Sequence, residues 1–521
     1  MANPALPLLQ QAHALHQAGR LDEADAAYRA ILAQHPREVH ALALLGTLRL
    51  QRGKIEDAIE LLGRALRLNP REPTLLNNRG HALERAGRHD EALKSYAKAV
   101  ALKPDYAEAH FNRGNTLRRV GRQEEALAAY DQAIRLNPRF APAMTNRGNA
   151  LRALGRPADA LASYDEALAL APQSAEAHDN RGVALEDLLR CEEALSSFDR
   201  AIALDPSYAE ARANKGLLLL RLGDFERGWP LYEWRWRSAN FTSPQRNFAA
   251  ALWDGADAAG STILLHAEQG LGDSILFCRY APLVAARGAK VILEMPRALG
   301  RLMRSLSGAD AVIATGDAPP AFDRHAPLLS LPGIFHTSLA TVPAAVPYLS
   351  AEPALIEKWR ARLPAGFRIG INWQGNPAGK VEKGRSAPLA AFAPLAQLPG
   401  VQLVSLQKTH GLDQLAHLPA GMSVATLGED FDSGPDAFLD TAAVMMSLDL
   451  VVTIDSSIGH VAGALGRPVW LALQAVPYWV WMLDRADSPW YPSMRLFRQA
   501  RGGAWSEVFE RMGAELKRLR Q

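Results

Sequence analysis

Cysteine is almost missing from this sequence: Cys191 and Cys278 are the two among 521 residues. Two thiols cannot build a disulfide framework and fit no zinc-ligand spacing, so both read as packed thiols in a reducing compartment. A surplus of one charge is missing too. Lys and Arg number 58 against 55 Asp and Glu, a formal net charge of +3, which excludes general attraction to nucleic acid and leaves any basic site local. No uninterrupted apolar run is long enough for a membrane span: the most apolar stretch, 461–483, is broken by Arg467, Pro468, Gln474 and Pro477. The opening "MANPALPLLQQAHALHQAGR" has neither a basic start nor a sustained apolar segment, so no signal peptide and a cytoplasmic location are expected.

What is present is repetition. Pro36, Pro70, Pro104, Pro138, Pro172 and Pro206 recur at a spacing of 34. Gly46, Gly80, Gly114, Gly148, Gly182 and Gly216 keep the same period, as do Ala24, Ala58, Ala92, Ala126, Ala160 and Ala194. A second glycine series, Gly19, Gly53, Gly87, Gly121, Gly155 and Gly223, marks a turn, with Leu189 as its one departure. Each unit therefore reads as helix, turn, helix and a stopping proline. The pattern resembles the tetratricopeptide repeat (TPR), with Tyr96, Tyr130, Tyr164 and Phe198 expected to fill the gap to the next repeat. Six repeats and a degenerate seventh are expected over residues 3–240.

Asn78, Asn112, Asn146, Asn180 and Asn214 share one position, two residues before the packing glycine, and Leu44 breaks the series. A row of carboxamides can pair with the backbone of an extended peptide, or it can bridge neighbouring repeats. The TPR-containing O-linked N-acetylglucosamine transferases carry a similar asparagine ladder facing acceptor polypeptide. That resemblance implies the peptide-binding role for these five residues.

After a tryptophan-rich joint (Trp229, Trp234, Trp236, Trp253) the texture changes to short apolar runs between helices. "TILLHA" at 262, "KVILEM" at 290 and "AVIATG" at 311 predict one parallel sheet. "RIGINW" at 368, "VQLVSLQ" at 401, "SVATLG" at 423, "LDLVVTID" at 448 and "PVWLAL" at 468 predict a second. The fold class is thus an α-solenoid followed by two Rossmann-like α/β domains, 241–350 and 365–500, with a Pro-rich linker at 343–364 and a closing helix at 501–521. Ligands of open parallel sheets sit beyond the carboxyl ends of the strands. There the sequence places "EQGLGDS", "QGNP", "QKTHG" and "DSSIGH".

"EQGLGDS" has Gly270 and Gly272 after a strand, but Ile275 occupies the third glycine position of a dinucleotide fingerprint, so a nicotinamide site is a weak reading. Its acid, Asp273, either caps a helix or acts as a base. In "VVTIDSSIGHVAGALGRPVW" Asp455 closes the strand, Ser456 and Ser457 are expected to cap the next helix, and Gly459 to leave room for an anion at the first turn. His460 alone could be a satisfied, partly buried histidine.

Together, "EQGLGDS", "WQGNP" with Arg385 and Ser386, "SLQK", "IDSSIGHVAGALGRPVW" and "SPWYPSMRLFRQ" resemble, in order and spacing, bacterial TPR-fused glycosyltransferases. The catalytic half of that family is related to the heptosyltransferases and has the GT-B fold. The resemblance implies transfer of a sugar from a nucleotide donor to a hydroxyl of a polypeptide, flagellin being one such acceptor, with Asp273 as general base. It places the donor on Gln269, Gly270, Gly272, Trp373, Gln374, Asn376, Arg385, Gln407, Lys408, Asp455, Ser456, Ser457, Gly459 and His460. No cofactor and no metal are implied, since no DxD-type pair follows a strand, and the oligomeric state stays open. Lys380 and Lys383 are expected on a loop between glycines. Where the family pattern has an arginine between two tryptophans, this chain has Val480. A nucleotide-sugar-binding adaptor without turnover, and a lipopolysaccharide or polysaccharide glycosyltransferase, are the alternatives.

Overall fold

The structure, a computed structural model, describes residues 5–377 and 384–521. Lys380 and Lys383 lie outside the described residues. The chain forms two compact units, residues 1–208 and 209–521.

The first unit consists of antiparallel helix pairs, from Leu6–Gln17 with Leu21–Gln34 to Ala175–Asp187 with Cys191–Leu204. Gly19, Gly53, Gly87, Gly121 and Gly155 join the members of a pair at φ between 74° and 82°, the left-handed geometry that ends a helix and that glycine adopts without strain. Leu189 holds the same turn at φ 57°. A Cβ on Gly80, Gly114, Gly148 or Gly182 would stand 2.5–2.7 Å from a ring carbon of Tyr96, Tyr130, Tyr164 or Phe198 respectively. These aromatics therefore fill the crossing inside their own repeat, correcting the expectation that they reach the next one. Their hydroxyls stay in the same repeat as well: Tyr130 donates to Asn115 Oδ1 at 2.8 Å and Tyr164 to Asn149 Oδ1 at 2.7 Å.

The second unit opens with one more pair, Ala209–Arg221 and the shortened Phe225–Tyr232, which contains Pro230. Leu220, Phe225, Trp229 and Tyr232 of this pair belong to the main apolar core of the unit. The Trp229 indole N–H donates to Thr337 O at 2.8 Å. Two all-parallel sheets follow. Strands β1 (Ala251–Leu252), β2 (Thr262–His266), β3 (Lys290–Met295), β4 (Ala311–Ala314) and β5 (Arg324–Pro327) are ordered β1-β5-β2-β3-β4. Strands β6 (Phe367–Asn372), β7 (Val401–Ser405), β8 (Val424–Ala425), β9 (Leu450–Ile454), β10 (Val469–Leu473) and β11 (Met494–Arg498) are ordered β11-β10-β9-β6-β7-β8. The interior strands β9 and β10 are buried at every position, as helices on both faces require. The Pro-rich linker carries a helix, Pro353–Arg360, and the closing helix spans Trp505–Leu519. Among the described residues no helix is long and apolar enough to cross a membrane.

Candidate functional site

Both sheets have a switch point, where the strand order reverses and a crevice opens at the carboxyl ends. In one sheet it is β2, flanked by β5 and β3; in the other it is the β6/β9 pair. Beyond β2, Gln269 adopts φ 62°, and its N–H and Nε2 both donate to Ser243 Oγ at 2.9 Å. Gly270 then caps the helix Leu271–Phe277, and the Asp273 carboxylate reaches back to accept the Gly270 N–H at 3.1 Å. Beyond β9, Asp455 and Ser456 lead into the helix Ser457–Ala464.

The two helices meet at a glycine. A Cβ on Gly272 would lie 2.9 Å from His460 Cδ2 and 3.7 Å from the Ser457 Cα, so the bare Gly272 allows this approach. Gly459 has a different duty from the one expected: its Cβ would face Leu471 Cδ1 at 3.2 Å and Thr453 Cγ2 at 3.4 Å, so the missing side chain seats the helix on β9 and β10. Ser456 corrects a second expectation. Its hydroxyl donates to Asn372 Oδ1 at 2.8 Å and does not cap the helix, because the asparagine at the end of β6 competes for it.

Four ionisable groups converge here. Burial pushes the Asp273 carboxyl up to about 6; the Gly270 N–H, the Tyr478 hydroxyl and Arg385 oppose this, and Asp455 reinforces it. Asp455, 9% exposed, is raised by burial, with Arg385 and Trp481 opposing. His460, 5% exposed, is pushed down to about 3 by burial and by the Arg279 and Arg385 charges, so it is neutral. Arg385 is thus within electrostatic reach of Asp273, Asp455 and His460.

The other expected residues are placed as follows. Gln407 Oε1 accepts from Asn372 Nδ2 at 2.6 Å and from the Trp373 and Gln374 N–H groups at 3.1 Å, while its Nε2 donates to Gln374 O at 2.9 Å. Its polar atoms are spent shaping the turn after β6. Trp373 is fully buried, its indole N–H on Gly411 O. Gln374 accepts from Gln414 Nε2 at 3.1 Å, and Asn376 is exposed. The Gly375 N–H donates to Ser386 Oγ at 3.0 Å, tethering the segment that carries Arg385. Lys408 is exposed and donates to the Phe431 carbonyl. Val480 is fully buried, so position 480 belongs to the core. In the repeats, Asn112 Nδ2 donates to Asn77 Oδ1 at 3.0 Å and Asn146 Nδ2 to Asn115 Oδ1 at 2.8 Å, so these two bridge neighbouring repeats. Asn78, Asn180 and Asn214 are half-buried.

Sequence reasoning missed Asn372, which joins β6 to β9, and the buried pair Arg235 with Glu268, 2.8 Å apart. Glu268 Oε2 has no hydrogen-bond partner among the described residues, and burial pushes this carboxyl up to about 7. A cavity of about 1040 Å³ in the same unit is walled by Trp229, Trp236, Phe248, Trp253, His266 and His325. The tryptophan-rich joint was its one visible signal.

A tetratricopeptide repeat family model matches six overlapping spans, 9–73, 43–107, 77–142, 111–175, 145–188 and 180–232. Residues 9–232 are tetratricopeptide repeats. Arrays of TPRs are protein-binding scaffolds. A curated relative, Protein FlbA of Caulobacter vibrioides, is 26% identical over 325 residues, 58% of this chain and 54% of its own. The chain thus spans about half the length of that relative. Among solved structures, PilW, described as a widely conserved type IV pilus biogenesis factor, is 21% identical with a TM-score of 0.39, over 40% of this chain and 98% of its own. A TPR protein of Parabacteroides merdae is 18% identical with a TM-score of 0.38, over 44% and 90%. YrrB, described as a TPR protein with an unusual peptide-binding site, is 22% identical with a TM-score of 0.31, over 36% and 95%.

Proposed function

We propose that residues 209–521 transfer a sugar from a nucleotide-activated donor to a hydroxyl of a polypeptide engaged by the TPRs, in the manner of GT-B glycosyltransferases. The observation that carries this reading is the meeting of the Gly270–Asp273 turn with the start of the Ser457–Ala464 helix at facing switch points. A carboxylate held near 6 beside a reacting hydroxyl has the basicity a general base needs at neutral pH. Arg385 and the first-turn amides of the Ser457–Ala464 helix are the groups suited to a leaving diphosphate. Asp273 takes the proton of the acceptor oxygen as that oxygen attacks the anomeric carbon, and the nucleotide departs with the bonding electrons.

The test is a thermal-shift screen against UDP-, GDP-, ADP- and CMP-sugars, since a ligand of the native state raises Tm. A shift with one nucleotide class, followed by loss of transfer in Asp273→Asn with binding retained, supports the reading. No shift with any of them refutes the donor site. Asn78→Ala combined with Asn180→Ala is expected to lower polypeptide modification while donor hydrolysis persists.

A further inference from the structure

Behind the carboxylates, four side chains, of which Tyr348 is half-buried, form one hydrogen-bonded chain. Arg279 Nη2 donates to the Tyr348 hydroxyl at 2.9 Å. That hydroxyl lies 2.9 Å from the Ile275 carbonyl oxygen and 3.2 Å from the Tyr491 hydroxyl, which in turn lies 3.0 Å from His460 Nδ1. A phenol has one proton to give and two lone pairs to receive. The Ile275 carbonyl can only accept, so the Tyr348 proton is committed to it. Tyr348 must then accept from both Arg279 and Tyr491, which commits the Tyr491 proton to Tyr348. Tyr491 has only lone pairs left to offer His460, so Nδ1 carries the imidazole proton.

We infer that this chain fixes His460 as its Nδ1–H tautomer and makes Nε2 an acceptor, so that His460 meets bound ligand through a hydroxyl of the sugar and not through a phosphate oxygen. A phosphate oxygen offers no proton, and two acceptors cannot bond. The ring is neutral, so the proton on Nδ1 is its only one. The geometry leaves Nε2 for this purpose: the Cδ2–Nε2 edge is turned to Gly272, and Nε2 has no hydrogen-bond partner among the described residues. Stacking on Trp481, at 5.1 Å between centroids and 29° between planes, holds the ring plane. Tyr348 and Tyr491 are thus positioning residues, acting through His460. The identity of the ligand rests on the proposed function; the tautomer does not.

The experiment is ¹⁵N NMR on the full chain labelled with [¹⁵N]histidine, with the His460 signals identified by their loss in His460→Gln. A protonated Nδ1 and bare Nε2 are expected; a protonated Nε2 would overturn the inference. Tyr348→Phe leaves Tyr491 in place but frees its proton to point at Nδ1, so the pattern should invert; an unchanged pattern refutes the hydroxyl chain as its cause. Tyr491→Phe, which removes the partner of Nδ1 altogether, should give a mixture, and keeps the test alive if Tyr348→Phe fails to fold. In the folded variant with the inverted tautomer, affinity for the nucleotide sugar found by the screen should fall about three- to tenfold while that for the free nucleotide holds, the size of one hydrogen bond. Equal losses for both would place the contact on the nucleotide and refute the sugar assignment. Absence of any nucleotide binding, with the tautomer as expected, would sink the proposed function alone.

Discussion

Gly272→Ala sets two effects of opposite sign against each other. The residue lies in the first turn of Leu271–Phe277, where alanine is favoured over glycine by up to about 1 kcal/mol on helix propensity. Against this, the new methyl would stand 2.9 Å from His460 Cδ2, where relaxed carbon contacts lie near 3.5–4.0 Å. The ring has nowhere to go, being stacked on Trp481 and bonded to Tyr491. Forced overpacking of this kind costs about 1–3 kcal/mol. The clash should therefore win by about 1–2 kcal/mol, read as a fall in Tm of roughly 2–4 °C for each kcal/mol by calorimetry. Gly300→Ala is the control: beyond its chain neighbours and its own helix backbone no atom lies within 4 Å of its Cβ position, so the substitution should be neutral or stabilising by up to about 1 kcal/mol. A Gly272→Ala protein as stable as its parent would show that the two helices do not pack as described.

Leu189→Gly should stabilise the repeats by up to about 1 kcal/mol, seen as a raised Tm, because Leu189 sits at φ 57° with 37% of its surface exposed, where a left-handed L-residue costs about 1–2 kcal/mol. Gln407→Ala should cost about 2–3 kcal/mol in urea titration, since it strips the Trp373 and Gln374 N–H groups and Asn372 Nδ2 of their shared acceptor; a cost below about 0.5 kcal/mol would contradict the clamp. Asp273, raised in the folded state to about 6 against about 3.9 unfolded, favours the native state fully below pH 4, a contribution lost as pH rises to about 6. Tm should therefore decline more across that window in the parent than in Asp273→Asn, and equal slopes would refute the shift. Transfer, if Asp273 is the base, should rise through the same pH.

The helical half was legible because its signals are local and repeated: proline, glycine and alanine recur at a spacing of 34, and the structure keeps the turn even where Leu189 replaces glycine. The interior strands were legible as continuous apolar runs. Strands β1, β5 and β11 were not. β1 has two residues, β5 reads "RHAP" with a charge and a proline at its ends, and β11 reads "MRLFR" with charges on an edge. The glycines of the site were found, but the duty of Gly459 was misread, because what fills the space over a glycine is settled by another element of the fold. Asn372, Gln407 and Ser456 meet through strand order, a relation between residues 35 to 84 apart that no local spacing encodes.

The second compact unit begins at residue 209, and Leu220, Phe225, Trp229 and Tyr232 of its opening helix pair lie in the same apolar core as Ile263, Leu265, Val291 and Leu293 of the first sheet. Within the first unit each helix pair packs on the next, so whole 34-residue periods are the units that duplication or loss can add or remove. Such an array changes length in steps of one helix pair.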